Sequence, residues 1–482
     1  MTSTLDQLRR LSPILEPGQA GFEAYLNDRS VWTEPAAPLA VALPESTAQV
    51  SAVVAWCAEH GLPVIPRGAG SGVSGGATAR AGSVVVSVER MDQILEIDQA
   101  KRQVRVQPGL INADLRRVVE PMGLFYPPDP ASLAESSIGG NIATNAGGLF
   151  CLKYGVTRDY VISLEVVIGT GEVLRLRREV SKDVMGYDLA SLVVGSEGTL
   201  GIVTEATLRL IPLPSDPVAT VMGRFDAMEP VGRAIEGLFQ AGLDPIALEF
   251  VDPIFMDAVA RYNQTAPTAA LDGPADPDSS VGPDGSDGPG RAGAVRTSVL
   301  IAQIAMTWPL DDPANQGRKT ETVFRQAGAR TVEWSASEAE ADRLMADRRL
   351  CFTALSAEGP TVSEDVSVPR TELGRLLVAI ERVADRHGLV IGTMGHAGDG
   401  NLHPCIPIPP GPDGDARAQA AFEDIMRQAI LLGGSVTGEH GVGLLKAEAM
   451  RQALGPTQMA LHRAIKAAFD PAGILNPGKM LA

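Results

Sequence analysis

Pro66-Arg67-Gly68-Ala69-Gly70-Ser71-Gly72 is the stretch of sequence that decides the fold. It lies between two apolar segments predicted to be strands, at 63–66 and 83–88, and five glycines fall within residues 68–76. The backbone N–H groups of such a loop can all face an anion and form a nest for a pyrophosphate. Glu89 follows at about the distance that a Rossmann unit requires, but the segment between the strands is too short and glycine-rich for a Rossmann helix. A glycine-rich turn without function explains this segment equally well.

A second stretch of small residues, 136–148, makes nucleotide binding the better interpretation. It contains hydroxyl and amide side chains and bare backbone, with almost no charge. Such a loop allows close approach to a large, planar, polar ligand, and it is less suited to a hydrophobic core. Two loops of this kind in one region therefore favour a bound dinucleotide-like cofactor.

Composition excludes several classes of partner. The chain has 482 residues, of which 45% are hydrophobic and 21% charged, so we expect a globular protein of two or more domains. A net charge of −17 argues against nucleic acid and anionic membranes as partners. The four cysteines lack CxxC spacing, which fits a reducing compartment and excludes an iron–sulfur cluster on this chain. The sequence shows neither a signal-peptide core nor an apolar run of 18 residues, so we expect a cytoplasmic protein without a transmembrane segment.

Changes of pattern along the chain predict the domain organisation. Residues 1–35 are interpreted as a lead-in and 36–215 as a first domain, which ends at a proline-rich boundary. Helices and strands then alternate through an α+β second domain at 216–440, followed by a C-terminal segment at 441–482. Within residues 271–293, 18 of 23 are Gly, Pro, Asp or Ser, which predicts a disordered surface loop.

Local signals predict individual elements. A helix is expected to begin at Ser46 and to end at Gly61, and a hairpin to span 161–177. In the second domain, the expected helices are 227–241, 313–328, 337–355, 370–387 and 415–431. The expected strands there are 246–251, 298–306 and 361–368.

Two glycine-rich stretches, Gly395–His403 and Thr437–Gly441, contain three of the six histidines. Imidazole and carboxylate are the ligand set of a catalytic divalent metal. An Asp399-Gly400 hairpin turn pairs His396 with His403 directly, with Cβ atoms roughly 5 Å apart. Asn401 shares the face of His403, because strand side chains alternate.

The second stretch adds two adjacent polar residues, which point opposite ways in extended chain. Glu439 is therefore interpreted as a third metal ligand and His440 as a separate proton-handling group. The alternative is a functionless hairpin whose histidines are solvated or satisfied within the core.

Together these stretches resemble the FAD-linked 2-hydroxyacid dehydrogenases of the vanillyl-alcohol oxidase superfamily. The resemblance covers about residues 36–482 and is strongest to the glycolate oxidase D-subunit and D-lactate dehydrogenase type. D-2-hydroxyglutarate dehydrogenases are slightly more distant. The motifs that carry it are Pro66–Gly72, Pro127–Pro130, Ser137–Gly148, Gly195–Gly201, His396–Asn401, Gly438–Gly441 and Phe469–Lys479.

The resemblance implies an α+β fold with a PCMH-type FAD-binding domain and an α+β cap domain of the FAD-linked oxidase C-terminal type. It also implies that the C-terminal segment returns to the FAD-binding domain. No histidine lies between His60 and His387, so we expect FAD to be bound non-covalently. The residues implied to bind FAD are Pro66, Arg67, Gly68, Ala69, Gly70, Ser71, Gly72, Ser74, Pro130, Ser132, Ser137, Gly140, Asn141, Thr144, Glu197, Gly198, Ile202 and Asn476.

Relatives of the hydroxyglutarate type bind a metal, usually zinc, through residues that match His396, His403 and Glu439. In these relatives the residue matching His440 acts as base, and the one matching Arg348 holds the substrate carboxylate. Asn401, which shares the face of His403, is also assigned to substrate binding.

Two residues depart from the hydroxyglutarate pattern. Ser363 stands where that type has a lysine, and Cys405 where it has an asparagine. Both departures favour a small monocarboxylate, D-lactate or glycolate, over a dicarboxylate.

The expected reaction is oxidation of a small D-2-hydroxyacid to the 2-oxoacid by hydride transfer to flavin N5, with metal-assisted activation of the hydroxyl. Reoxidation is expected to need a separate acceptor, either a cytochrome, a quinone or an iron–sulfur subunit, in a homodimer or hetero-oligomer that could be peripheral to the inner membrane. A nearer alternative is a flavin enzyme of the same fold that acts on D-2-hydroxyglutarate, another hydroxyacid or an alcohol. Rivals of other classes are a zinc hydrolase and a non-catalytic flavin-binding subunit.

Overall fold

The structure, a computed structural model, describes residues 4–180, 182–263, 297–305 and 312–481. The insert predicted at 271–293 lies outside the described residues. The chain forms two compact units, the first made of Met1–Ser215 and Val436–Ala482 and the second of Asp216–Ser435. Glu439 and His440 thus belong to the first unit. Within the described residues, no helix is long and apolar enough to cross a membrane.

The glycine-rich loop of the first unit follows a strand in a four-stranded sheet. The strands run in the order Ile14–Leu15, Ala40–Ala42, Val84–Ser87 and Val64–Arg67, and the last three are parallel. Valine and isoleucine dominate Val84–Ser87 and Val64–Arg67 because both faces of these strands are covered. The helix Thr47–His60 begins after Ser46, whose hydroxyl caps it, and ends at Gly61 as predicted.

A five-stranded antiparallel sheet forms the second layer of the first unit. Its strands run in the order Ile94–Asp98, Gln103–Val106, Ile202–Arg209, Val161–Val167 and Val173–Leu176. The last two form the predicted hairpin. The other elements of this unit are the strand pair Leu124–Phe125 and Ile211–Pro212 and the helices Thr4–Leu11, Phe22–Tyr25, Asn112–Val119, Glu120–Met122, Ile138–Thr144, Cys151–Tyr154, Thr157–Tyr160, Leu189–Val193 and Ala447–Phe469.

The small residues of the stretch 136–148 predicted a loop, but part of this stretch is helical. Ile138–Thr144 is helical, because the Ser137 hydroxyl accepts a hydrogen bond from Gly140 N at 3.2 Å and caps the first turn. The prediction was wrong here because it gave more weight to the glycines than to Ser137, a residue type that commonly caps the start of a helix.

The second unit is built on an eight-stranded antiparallel sheet in the described residues. Seven strands run in the order Thr331–Ser335, Val218–Phe225, Ser298–Ala305, Pro245–Val251, Gly392–His396, Asn401–Pro407 and Thr361–Ser363. Val366–Ser367 also pairs with Asn401–Pro407, so the predicted strand 361–368 is two short strands. The helices are Met228–Gln240, Pro253–Tyr262, Pro313–Ala327, Glu338–Ser356, Arg370–Glu372, Leu373–His387 and Gly414–Leu431.

The histidine hairpin forms, but its predicted register was wrong. His396 pairs with Asn401, and His403 pairs with Met394, so the turn is the four-residue segment 397–400. The neighbouring chain fixes this turn, since Gly398 N donates to Leu248 O at 3.1 Å and Val368 N donates to Gly400 O at 2.9 Å. The two-residue shift leaves both histidines on one face of the sheet, as diagonal neighbours.

Gly400 is the residue on which this turn depends. Its φ is +75°, and a Cβ placed there would lie 2.1 Å from Val368 O. We expect Gly400→Ala to lower the midpoint of thermal unfolding clearly more than Gly242→Ala does. Gly242 has a similar φ of +70° with nothing within 4 Å of its Cβ position, so its alanine variant carries only the backbone cost of about 1–2 kcal/mol. Equal midpoints for the two variants would show that the Val368 contact is unimportant.

Candidate functional site

The glycine-rich loop and the short helix after Ser137 meet in the first unit. A Cβ built on Gly68 would lie 2.5 Å from Ser137 Oγ and 3.4 Å from Gly140 N, so only glycine allows this approach. The two stretches that the sequence singled out for a nucleotide therefore lie against each other. Ala69, Gly70, Ser71 and Gly72 continue the same loop.

Arg67 is committed to protein backbone. Its guanidinium donates to Ala24 O and Asn27 O, both at 2.9 Å, and lies 5.7 Å from the Tyr25 ring centroid. Burial lowers the pKa of Arg67, against the opposing effect of Asp28. The guanidinium thus holds residues 24–27 of the lead-in segment next to the loop. The sequence analysis assigned no role to these residues.

The C-terminal segment forms hydrogen bonds with the end of the glycine-rich loop. Asn476 is 1% exposed, and its Nδ2 donates to Gly76 O at 3.0 Å and to Glu197 O at 2.8 Å. Lys479 Nζ donates to the same Gly76 oxygen at 2.8 Å and to Thr78 O at 2.6 Å. Burial lowers the pKa of Lys479 to about 7. The sequence analysis named Asn476 as a predicted FAD-binding residue and did not name Lys479.

The other residues predicted to bind FAD make different kinds of contact within the first unit. Asn141 Nδ2 donates to Ser136 Oγ at 3.1 Å, and Thr144 Oγ1 donates to Gly140 O at 3.3 Å. Pro130 and Ser132 form the turn before this helix, since Ser136 N donates to Ser132 O at 2.7 Å. A Cβ on Gly198 would meet Pro66, which brings these two residues together. The Ile202 side chain instead lies in a hydrophobic core.

The segment with Glu439 and His440 is held by the same loops. Ser74 Oγ donates to the backbone oxygens of His440 and Gly441, at 3.1 and 2.9 Å. The buried Glu197 carboxylate accepts from Val442 N and from the next N–H, both at 2.7 Å. Burial raises the pKa of Glu197, although these two donors oppose it.

Glu439 lies against the second small-residue stretch. A Cβ on Gly147 would lie 2.9 Å from Glu439 Oε2 and 3.4 Å from Cys151 Sγ. Glu439 and His440 are therefore both held within the first unit, beside the loops predicted to bind FAD.

In the second unit, His396 and His403 are buried and close together. They are 9% and 5% exposed, and their ring centroids are 5.3 Å apart with the planes at 83°. Each has a carboxylate on its Nδ1 side: Glu249 Oε1 at 2.8 Å from His396, and Asp365 Oδ1 at 3.8 Å from His403. Two imidazoles backed by carboxylates are the usual form of histidine ligation to a metal.

Glu249 also binds Arg348. Arg348 Nε and Nη2 donate to Glu249 Oε2 at 2.8 and 2.7 Å, and Nη1 lies 3.3 Å from Met394 Sδ. Burial by itself raises the pKa of Glu249, but His396 and Arg348 outweigh it, so this pKa lies below its ordinary value. The glutamate is therefore an anion held between a histidine and an arginine.

Asn401 occupies the same face. Its Nδ2 donates to Asp365 Oδ1 at 2.7 Å and to Val366 O at 3.0 Å. Nearby, Cys405 is fully buried, its Sγ lies 3.5 Å from Ser363 Oγ, and burial raises the pKa of its thiol to about 12. Neither Cys405 nor Ser363 therefore supplies a positive charge to this part of the site.

Sequence analysis missed Glu249 and Asp365. A signal for Glu249 exists, because it is the one charged residue in the run Pro245–Val251. Asp365 stands beside Glu364 between two short strands, and both are fully buried. Buried carboxylates require partners, so a lone acid in an apolar strand predicts a histidine, an arginine or a metal nearby.

Comparison with known proteins gives consistent matches across the chain. Residues 215–480 match the family model described as FAD linked oxidases, C-terminal domain, and residues 38–177 match an FAD binding domain. Glycolate oxidase subunit GlcD of Bacillus subtilis is 39% identical over 447 residues, which cover 92% of this chain and 89% of that protein. D-2-hydroxyglutarate dehydrogenase of Stutzerimonas stutzeri is 34% identical, covering 99% and 98%. D-lactate dehydrogenase of Anaerostipes hadrus is 33% identical, covering 95% and 92%.

Solved structures match the fold over nearly the whole chain. A p-cresol methylhydroxylase superposes with a TM-score of 0.76 at 18% identity, covering 99% of this chain and 96% of that one. The 4-ethylphenol oxidase of Gulosibacter chungangensis gives a TM-score of 0.73 at 19% identity, with the same coverage. These matches confirm the expected fold class and carry no information about substrate.

Proposed function

The chain belongs to the FAD-linked oxidases, and on that premise we propose that it oxidises a small D-2-hydroxyacid, D-lactate or glycolate, to the 2-oxoacid. Relatives named for glycolate, D-lactate and D-2-hydroxyglutarate support a hydroxyacid substrate. The observation that carries the proposal is Glu249, which joins a candidate metal ligand, His396, to a candidate carboxylate anchor, Arg348. A hydroxyl and an adjacent carboxylate are the two groups that every 2-hydroxyacid presents.

The donor set in the second unit fits a divalent metal, with zinc the first choice. With Nδ1 of His396 donating to Glu249, its Nε2 carries the lone pair that a metal needs. We assign Glu439 as third ligand because the chain connects it closely to this sheet. Ser435 N donates to Ser367 O at 2.7 Å, and the four Cα–Cα steps from Ser435 to Glu439 span at most about 14 Å.

The proposed reaction uses a metal ion and FAD together with the chain's own residues. A bound divalent ion supplies Lewis acidity that lowers the pKa of a hydroxyl, and bound FAD supplies a hydride acceptor. His440 is the proposed base for the hydroxyl proton, a role to which imidazole is suited. Its backbone is anchored by Ser74, so the glycine-rich loop holds the base in place.

Arg348 is the proposed anchor of the substrate carboxylate. Its Nε and Nη2 face Glu249, and Nη1, which donates one hydrogen to Met394 Sδ, has a second hydrogen for a carboxylate bound end-on. Asn401 uses both Nδ2 hydrogens within the protein, so it offers Oδ1 as an acceptor to the substrate.

The corner formed by Ser363 and Cys405 favours a small substrate. A distal carboxylate placed there would meet a neutral thiol and a hydroxyl, and an unpaired buried carboxylate costs several kcal/mol. D-2-hydroxyglutarate is therefore the alternative substrate, followed by another hydroxyacid or an alcohol on the same fold.

Reoxidation is proposed to involve a separate acceptor, a cytochrome, a quinone or an iron–sulfur subunit. The name of the relative from Bacillus subtilis, which is one subunit of a glycolate oxidase, supports a hetero-oligomer. Attachment to the inner membrane through such a subunit belongs to the same proposal.

Anaerobic reduction of the flavin across a panel of hydroxyacids tests the function. We expect the purified protein to be yellow, to release FAD on acid precipitation, and to be bleached by D-lactate or glycolate but not by L-lactate. Preferential bleaching by D-2-hydroxyglutarate would select the alternative substrate. A colourless zinc protein that hydrolyses esters or amides would instead establish the hydrolase.

A further inference from the structure

Glu249 is placed where a strand would ordinarily carry an apolar residue. It is 1% exposed in Pro245–Val251, a strand whose seven residues are all buried. On the neighbouring strand its direct pairing partner is His396, so the two side chains lie on the same face. Burying a carboxylate in this way is costly, and three hydrogen bonds from His396 and Arg348 compensate for it.

We propose that Glu249 is a positioning residue that sets the spacing between the hydroxyl and carboxylate subsites and thereby selects 2-hydroxyacids. This proposal rests on the function proposed above. One oxygen, Oε1, fixes the tautomer and ring orientation of His396, and the other, Oε2, fixes the Arg348 side chain by accepting hydrogen bonds from both Nε and Nη2. Because a single rigid carboxylate holds both, neither subsite can shift without the other.

The consequence is a geometric preference for one class of substrate. In a 2-hydroxyacid the hydroxyl and carboxylate stand on adjacent carbons, whereas a 3-hydroxyacid separates them by one more carbon. A site whose two subsites are tied together through Glu249 cannot widen to accept the longer spacing. A glutamate that served only to neutralise a buried arginine would leave this discrimination unaffected.

The chain contains a matched control for this distinction. Glu165 is also a buried glutamate in a strand, with its Oε2 3.1 Å from Arg175 Nε and its Oε1 accepting from Thr47 at 2.8 Å. It lies in the first unit and binds no histidine in these contacts. Glu249→Gln and Glu165→Gln therefore each remove one buried strand carboxylate that is paired with an arginine, although Arg175 is more exposed than Arg348.

The test compares these variants in the FAD-loaded, metal-loaded protein by three measurements. They are metal retained after dialysis against a competing chelator, affinity for a 2-oxoacid followed by perturbation of flavin absorbance, and the ratio of flavin reduction rates with 2- and 3-hydroxybutyrate. For Glu249→Gln we expect metal affinity to fall roughly 10- to 100-fold, oxoacid affinity to weaken, and the 2-hydroxy over 3-hydroxy preference to shrink at least several-fold. Glu165→Gln should match the wild type in all three.

Each outcome decides the proposal. If Glu249→Gln fails to accumulate, Glu249→Asp keeps the charge but is one carbon too short to reach both partners, and we expect the same three losses. Wild-type values in either variant, or loss of metal alone with unchanged oxoacid affinity and selectivity, would overturn the role of Glu249. A wild-type protein that binds neither metal nor 2-oxoacid would refute the proposed function itself, and the role of Glu249 with it.

Discussion

His440→Ala is expected to slow reduction of the flavin by a hydroxyacid by roughly 10²-fold or more, while the protein keeps its FAD. The substitution removes the imidazole that we propose as base. It leaves the backbone oxygens of residues 440 and 441, so the hydrogen bonds from Ser74 persist and the loop stays in place. Stopped-flow absorbance under anaerobic conditions measures the rate, and the flavin spectrum measures the bound cofactor.

A control separates the loss of a base from general damage. His462 belongs to the same unit as His440 but lies in the helix Ala447–Phe469 and not in the loop that Ser74 anchors. His462→Ala therefore removes an imidazole from the same unit without changing that loop. It should retain the wild-type rate. A His440→Ala protein that reduces its flavin at full speed would exclude His440 as base.

The second large effect is expected from His403→Ala, which should remove the metal without releasing FAD. His403 supplies a candidate ligand nitrogen within the second unit, whereas the loops assigned to FAD lie in the first. Lewis-acid assistance is worth several kcal/mol, so we expect the reduction rate to fall by roughly 10²-fold or more. Elemental analysis of the dialysed protein gives the metal content, and absorbance gives the FAD content.

His387 provides the matched substitution for this experiment. It lies in the same unit and also faces a carboxylate, with its Nε2 3.3 Å from Asp424 Oδ2. His387→Ala should keep both metal and FAD. Stoichiometric metal in purified His403→Ala protein would show that the ligand set is wrong.

Local signals predicted much of the fold because they act over a few residues. Ser46 and Gly61 bound a helix as expected, since a hydroxyl cap and a left-handed glycine each need only the adjacent turn. The motifs also identified the family, and the comparisons confirm it. The register of the histidine hairpin was mispredicted because Leu248 and Val368, which are distant in sequence, bind the turn.

The candidate site shows the same division between local and long-range information. His396 and His403 could be named because glycine-rich surroundings mark them within a few residues. Glu249 could not be paired with His396 from sequence, since 147 residues separate them and only the strand order brings them together. Arg67 was expected to bind FAD, and its hydrogen bonds to Ala24 and Asn27 involve a segment with no recognisable motif.

The division of the first unit between Met1–Ser215 and Val436–Ala482 has a consequence for biosynthesis. The second unit is continuous in sequence, so all of its residues have been translated before Asn476 and Lys479 are made. The Gly76 carbonyl can receive both of those side chains only after the whole of the second unit has been translated. The glycine-rich loop therefore gains these two contacts only after the second unit has been made, and cofactor loading is expected to follow synthesis of the second unit.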